Sequence, residues 1–363
     1  MIYSKYASLL VDYCLAVKAN ERVYISSTYL AEPLLQELLK CIYSRGATAH
    51  INIELQDQTK IIFDAASEDV LKKENAIQKY IVENFDCYLV VRAPFNLRDT
   101  QNVDTNKRIA ATEGNKEINK IYNERTGSYK MRRSLCQFPT QASAQEAGMS
   151  LKEYENFIFQ SCFLYEENPI EAWKQLGRNQ QTATDYLNKC KNIHYKGPNI
   201  DIKFSTDGRT WINSDGKANM PSGEIYTAPV EDSVNGQVKF TLPSIYMGQE
   251  AEEVELDVKN GVVQSWKATR GMDLLDKVFD MPGARVFGEA AIGCNNNIQR
   301  ITKNILFDEK IGGTIHMAVG QSYAQCGGKN DSSVHWDMIT DMTQGGEIWA
   351  DGVMIYKDGK FII

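Results

Sequence analysis

The stretch RVYISSTYLAEPLLQELLKCIYSRGATAHINIEL, Arg22 to Leu55, decides the class of the fold. Arg22 to Ser26 reads as a short buried strand. Glu32 to Arg45 reads as a helix, with Leu34, Leu35, Leu38, Leu39 and Ile42 on one face and Gly46 as its stop. Thr48 to Leu55 alternates with the period of two of a strand. On the N-terminal side, Tyr6, Leu9, Leu10, Tyr13, Cys14 and Val17 recur at helical spacing, which predicts an amphipathic helix packed on a domain. Lys5 and Asp12 interrupt its apolar run, so it lacks the unbroken core of a signal peptide. On the C-terminal side, Cys87 to Arg92 reads as another buried strand. Helices alternating with strands in this way predict an open, largely parallel sheet with helices on its faces. The chain contains neither G-x-G-x-x-G nor G-x-x-x-x-G-K-[ST], so no dinucleotide or nucleoside triphosphate is expected on that sheet.

From Asp104 to Lys191 the sequence is polar and helical. Helices are expected over Asn106–Tyr122, Leu151–Tyr165 and Pro169–Cys190, with breaks at Pro139 and Gly148. The character changes at KNIHYKGPN, near residue 195. Beyond it lie strand-like runs: DIKFST, RTWINS, EIYTAP, GQVKFTL and EVELDVKNGVVQSWKAT. Asn260-Gly261 between two alternating runs predicts a hairpin. Asp215-Gly216 and Asn235-Gly236 read as further turns, and IWADGVMIYKDGKFII as a closing hairpin. Short helices are expected over Met272–Phe279 and Asn295–Lys303. The expected fold is α/β: an N-terminal αβα open-sheet domain with a helical extension, residues 1–195, followed by a β-rich α+β metal-binding domain, residues 196–363.

A chain of 363 residues with 43% hydrophobic content buries a large core without covalent staples. Its net charge of -7 argues against nucleic acid as a partner; Lys130, Arg132 and Arg133 are the one basic cluster and read as a solvated helix end. No apolar run approaches the ~18 residues of a membrane span, and a soluble, cytoplasmic protein is expected. The eight cysteines form no C-x-x-C pair, which fits reduced, mostly buried thiols.

The chemistry concentrates between Gly312 and Ile339. Two of only four histidines, His316 and His335, fall there. Asp337 lies two residues after His335, so the two side chains leave a strand on the same face. Tyr323, in the loop between the histidines, is close at hand. His50 and His194 read as structural or exposed. Two glutamates stand where packing gives no reason for one: Glu224 in NMPSGEIYTAP, and Glu289 in FGEAAIG. A carboxylate among small and apolar residues is costly to bury without a cation. Glu224, Glu289, His316, His335 and Asp337 give three carboxylates and two imidazoles. That oxygen and nitrogen set suits zinc, manganese or cobalt in a catalytic site. Three negative charges against two divalent ions leave one positive charge, which a hydroxide neutralises; this balance fits two-metal hydrolysis.

The segments NMPSGEIYTAP, FGEAAIG, FDEKIGGTIHMAVGQSY and HWDMI, in that order, resemble the thermophilic metallo-aminopeptidase family, the AmpS/AmpT-like (PepS) group. The resemblance covers the β-rich half and extends more weakly over the first half. It implies a homodimeric metallo-aminopeptidase that removes N-terminal residues from peptides with a two-metal-activated water. It places Glu224, Glu289, His316, His335 and Asp337 as ligands of two divalent ions, zinc first and cobalt, manganese or magnesium next. It places Tyr323 at the catalytic tyrosine, expected to donate a hydrogen bond to the oxyanion; Glu289, in its run of small residues, is the carboxylate expected as bridging ligand and proton shuttle. The loop between the histidines is shorter than in some relatives, which bears on the rim of the pocket and so on substrate preference. Asp331 and Asp341 are candidates to orient the imidazoles. Two other readings use the same donors: a two-metal phosphoesterase, for which Arg270, Arg285 and Arg300 are the nearby cations, and a non-catalytic peptide-binding protein stabilised by metal.

Overall fold

The structure is a computed structural model that describes residues 2–363. The chain divides into two compact units. One runs to Ile170 and includes Gly216–Pro221; the other comprises Glu171–Asp215 and Ser222–Ile363.

The first unit holds the parallel sheet that its alternating pattern predicts. Its strands are β1 (Arg22–Thr28), β2 (Thr48–Glu54), β3 (Cys87–Arg92) and β4 (Arg132–Gln137). They lie in the order β2-β1-β3-β4, all parallel, and the short strand Asn219–Met220 joins outside β4. The helix Glu32–Ser44 buries Leu34, Leu35, Leu38 and Ile42, four of the five residues on its predicted face. The opening helix Ile2–Ser8 continues as one π turn, Leu9–Cys14, and buries Tyr6, Leu9, Leu10, Tyr13 and Cys14. The helix expected over Asn106–Tyr122 is two helices, Thr105–Gly114 and Lys116–Gly127. The break falls at Asn115, whose side-chain amide donates to the Ala111 carbonyl and competes with the helical ladder. Arg132 and Arg133 open β4 and are not a solvated helix end. The Arg132 guanidinium is drawn inward by Glu21 and by the Leu15 carbonyl at 2.6 Å.

The second unit begins inside the helix Pro169–Leu187, so the change of character at residue 195 is not the structural boundary. Ala183 and Leu187 of that helix are part of the β-rich core, which ties the helix to the second unit. The remaining strands are β5 (Asn192–Gly197), β6 (Ile200–Ser205), β7 (Ile212–Ser214), β8 (the Asn219–Met220 strand of the first unit), β9 (Glu224–Thr227), β10 (Asn235–Lys239), β11 (Ser244–Tyr246), β12 (Gln249–Ala251), β13 (Glu255–Lys259), β14 (Val262–Lys267), β15 (Phe287–Gly293), β16 (Thr314–Gly320), β17 (His335–Asp341), β18 (Glu347–Ala350), β19 (Val353–Lys357) and β20 (Lys360–Phe361). An eight-stranded antiparallel sheet has the order β14-β13-β10-β6-β5-β18-β19-β20, and a five-stranded one the order β17-β16-β15-β9-β7. One continuous core joins them: Ile193, Ile202, Leu256 and Ile348 from the larger sheet, Ile225, Ile292, Met317 and Trp336 from the smaller.

Three local expectations meet different outcomes. Asn260-Gly261 is the predicted hairpin turn, with φ of 50° and 79°, the pair of positive angles that such two-residue turns require. Asn235-Gly236 is not a turn but the start of β10, where a Cβ on Gly236 would lie 1.9 Å from the Asp201 carbonyl oxygen. Asn295–Lys303 is not a helix. The Asn295 side chain accepts from the Asn297 N–H and donates to the Ser222 carbonyl, which holds an irregular turn. Among the described residues, no helix is long and apolar enough to cross a membrane. The Gly261 turn yields a direct check. A Cβ there would meet the Glu231 carbonyl at 1.7 Å, so Gly261→Ala should cost more than about 1 kcal/mol, read as a lower urea midpoint with an unchanged slope.

Candidate metal centre

Strand periodicity assembles the site. In β15, β16 and β17, Ile292, Met317, Trp336 and Met338 turn into the shared core. Their alternates therefore project from the opposite face: Glu289 from β15, His316 from β16, His335 and Asp337 from β17. The same rule on β9 sends Ile225 inward and Glu224 and Tyr226 outward. The register then sets them side by side. Glu224 pairs with Gly293, Tyr226 with Ala291, and Ala291 with His316. Glu289 pairs with Ala318, and Ala318 with Asp337. Glycine and alanine occupy the positions between the donors, so the long side chains lean together over small ones.

All five predicted ligands converge. His316 Nε2 is 3.5 Å from Glu224 Oε2 and 3.6 Å from Glu289 Oε1. His335 Nε2 is 3.2 Å from Glu289 Oε2 and 3.6 Å from Asp337 Oδ2. Glu289 thus turns one carboxylate oxygen to each imidazole. His335 Nδ1 lies 2.9 Å from the Gln321 carbonyl, and a donated hydrogen bond there leaves Nε2 facing the carboxylates. That carbonyl fills the orienting role expected of Asp331 or Asp341, both of which are exposed.

The residues fit a metal ion. Glu224 Oε2, Asp337 Oδ1 and both ring nitrogens of His316 are buried without a hydrogen-bond partner. Buried polar atoms are rarely left so, and a cation is the partner that carboxylates and imidazoles share. Two groups of donors could each hold an ion: Glu224, Glu309 and His316, and Glu289, His335 and Asp337, with the ligand atoms of each group within 4.8 Å of one another.

Glu309 is the donor that the sequence reading passed over, together with its neighbour Lys310. The Lys310 ammonium is fully buried, pairs with Glu309, and lies 3.7 Å from Glu224 Oε1. Their signal was present in FDEKIGG, where three charged residues stand between buried Phe307 and a pair of glycines.

Burial and mutual charge pull the groups apart. Burial pushes the Glu224 carboxyl up to about 7 and that of Asp337 up to about 6. Burial also opposes the Glu289 carboxylate, but the two imidazoles that face it, His316 and His335, outweigh burial and bring Glu289 down to about 2. Burial opposes the imidazolium of His316, yet Glu289 holds it up to about 9; for His335, Asp337 and Glu289 overcome burial and hold it up to about 10. The ion-free site therefore keeps protons on both imidazoles at neutral pH.

Tyr323 stands at the open side of the cluster. Its hydroxyl is 3.4 Å from His335 Nε2, and His335 is the most exposed of the five predicted ligands, with 26% of its side chain accessible. The negative charge of Glu289 and burial both keep the Tyr323 phenol protonated and able to donate. Tyr226 packs edge-on against it at 5.4 Å. The loop carrying Tyr323 is tied down by Arg209 and Glu231. Glu231 pairs with the nearly buried Arg209 guanidinium and accepts from the Lys329 N–H at 2.7 Å, while the Thr210 N–H donates to the Cys326 carbonyl at 3.0 Å. Cys294 and Cys326 are free, and burial pushes both thiols up to about 12. This agrees with the packing role expected of them.

The family described as Thermophilic metalloprotease (M29) matches residues 2–361, and the chain belongs to that family. It is 28% identical to Aminopeptidase 2 of Geobacillus stearothermophilus over 401 residues, covering 98% of this chain and 94% of the relative. It is 27% identical to Aminopeptidase PepS of Streptococcus thermophilus over 424 residues, covering 99% and 97%. The structure of wild-type AmpT from Thermus thermophilus shares the fold, with a TM-score of 0.87 at 22% identity over 100% of this chain and 99% of that one. The family supports a requirement for divalent metal at the donor cluster.

Two measurements check this electrostatic and geometric picture. Each imidazole must lose its proton to bind an ion, so the apparent affinity for Zn²⁺ should climb between about pH 6 and about pH 9, with proton release measurable by calorimetry in buffers of different ionisation enthalpy. An affinity independent of pH would contradict the protonated imidazoles. Arg209→Met should lower kcat while leaving metal content unchanged, and its effect should not add to that of Tyr323→Phe if the clamp acts through the tyrosine.

Proposed function

We propose that this chain is an aminopeptidase that hydrolyses N-terminal residues from peptides with two divalent ions, zinc first and cobalt, manganese or magnesium as alternatives. The observation that carries this reading is the convergence of buried donors on Glu289, whose two carboxylate oxygens face His316 and His335 at 3.6 and 3.2 Å. Membership of a metalloprotease family and relatives named as aminopeptidases support it. Glu224, Glu309 and His316 would hold one ion, and His335 and Asp337 the other, with Glu289 between them. Divalent ions at such a site supply Lewis acidity toward the scissile carbonyl and a water acidified to near neutral pH.

The chain's own residues do the rest. The Glu289 carboxylate takes the proton from the attacking water and returns it to the leaving amine. The Tyr323 hydroxyl donates to the oxyanion of the tetrahedral intermediate. Gln321 fixes the ring of His335, and the clamp of Arg209 and Glu231 fixes the loop that carries Tyr323.

Two of the three arginines of the phosphoesterase reading are paired with carboxylates of their own. Arg270 is engaged by Glu250 at 2.6 Å and Glu252 at 3.0 Å, and Arg285 lies 3.6 Å from Asp280. Lys310, the lysine at the cluster, is buried against carboxylates. A cytoplasmic homodimer completes the proposal.

Leucine p-nitroanilide should be hydrolysed and a p-nitrophenyl phosphate ester should not. Chelation should abolish the activity while circular dichroism stays native, and Zn²⁺, Co²⁺ or Mn²⁺ added back should restore it to different degrees. Tyr323→Phe should lower kcat by ~10² to 10³ with little change in KM. Unchanged turnover in that variant would remove Tyr323 from the chemistry; melting on chelation would favour a structural role for the metal.

A further inference from the structure

Lys310 is the side chain at this centre that a metal site does not call for. Its ammonium has no exposure, pairs with Glu309, and lies 3.7 Å from Glu224 Oε1. Glu224 and Glu309 are two of the three donors in the first candidate group. The second group, Glu289, His335 and Asp337, has no lysine or arginine paired with it among the described residues; its ion-pair partners are the two imidazoles. An imidazole yields its proton when an ion arrives, whereas an ammonium held by two carboxylates keeps its charge beside the incoming ion. Like charges a few ångströms apart in a buried site are weakly screened by solvent. The two positions are therefore unequal by construction: in one, two of the three donors pair with a fixed positive charge; in the other, none is paired with a lysine or arginine among the described residues.

We propose that Lys310 makes the Glu224–Glu309–His316 position the weaker of the two, so that the protein loads its ions in order. Glu289, His335 and Asp337 fill first, and the position beside Lys310 fills last and exchanges most readily. Availability of metal then sets the fraction of molecules that carry both ions. Lys310 also neutralises part of the carboxylate cluster when the last ion is absent, so that the half-loaded protein keeps its fold. This inference rests on the two-ion reading of the site.

The test is binding, not turnover. The full chain, stripped by chelation, is titrated with Zn²⁺ and followed by native mass spectrometry and by calorimetry. Two steps should appear, separated by about tenfold or more in Kd. His335→Gln should remove the tight step and His316→Gln the weak one. Lys310→Met should tighten the weak step by about tenfold or more and leave the tight step within about twofold, whereas Lys310→Arg should keep the wild-type spacing. Two equal steps in the wild type, loss of the weak step in His335→Gln, or a weak step unmoved by Lys310→Met would each overturn the proposal. Should Lys310→Met fail to fold, the order of the steps in the wild type and the histidine variants still decides. Uptake of a single ion at saturation overturns the two-ion reading itself, and is thereby distinct from two ions bound with equal affinity.

Discussion

Four carboxylates, from Glu224, Glu289, Glu309 and Asp337, face one another in the interior of the second unit. Like charges cannot share a buried site without cations, because each loses several kcal/mol of hydration and gains only repulsion in return. Everything around them is arranged to supply positive charge. Two protonated imidazoles and the Lys310 ammonium give three positive charges against four negative ones. Burial, with the neighbouring carboxylates, pushes the carboxyls of Glu224 and Asp337 up toward neutral pH. Glu289, placed between the two imidazoles, is instead driven down. The ion-free protein thus stores on its histidines the positive charge that divalent ions bring when bound.

A five-stranded antiparallel sheet is a suitable frame for this cluster. One face of β15, β16 and β17 belongs to the hydrophobic core shared with the eight-stranded sheet, so those strands cannot slip register without exposing Ile292, Met317 and Trp336. The donors on the opposite face inherit that rigidity. Ala291, Ala318 and Gly293 separate them and leave room for side chains to converge. The parallel sheet of the first unit carries none of the five predicted ligands.

The legible part of the sequence was the part governed by local periodicity. The strand-helix-strand reading of Arg22–Leu55 survives intact because β1 and the helix Glu32–Ser44 bury apolar side chains and β2 pairs along its whole length with β1. The His335–Asp337 spacing and the misplaced glutamates Glu224 and Glu289 pointed to side chains that the fold does bring together, because a carboxylate in an apolar strand has no packing explanation. Glu309 and Lys310 escaped for the opposite reason. A charged run after a short helix looks like a solvated surface, and only the fold of Ile305–Ile311 against the sheet turns it inward. Asn235-Gly236 failed as a turn because the close approach of Asp201, a contact made across strands, demands the glycine. The Gln321 carbonyl that orients His335 could not be read from residue types, since every residue carries one.

The two kinds of functional group sit on two kinds of structure. Metal ligands need fixed positions, and four of the elements that hold them are strands braced by a buried core. Tyr323, which under the proposed function meets the oxygen of a variable peptide, comes from a loop. That loop is anchored at its backbone by Thr210 and Glu231 and at its ring by Tyr226. Changes in its length or lining alter what the peptide touches without moving the donors on the sheet. The shared fold with AmpT, at a TM-score of 0.87 and 22% identity, is what such a division permits: the frame persists while most side chains change. Under the proposed function, substrate preference falls to the segment between Gly320 and His335, and metal binding to the strands on either side of it.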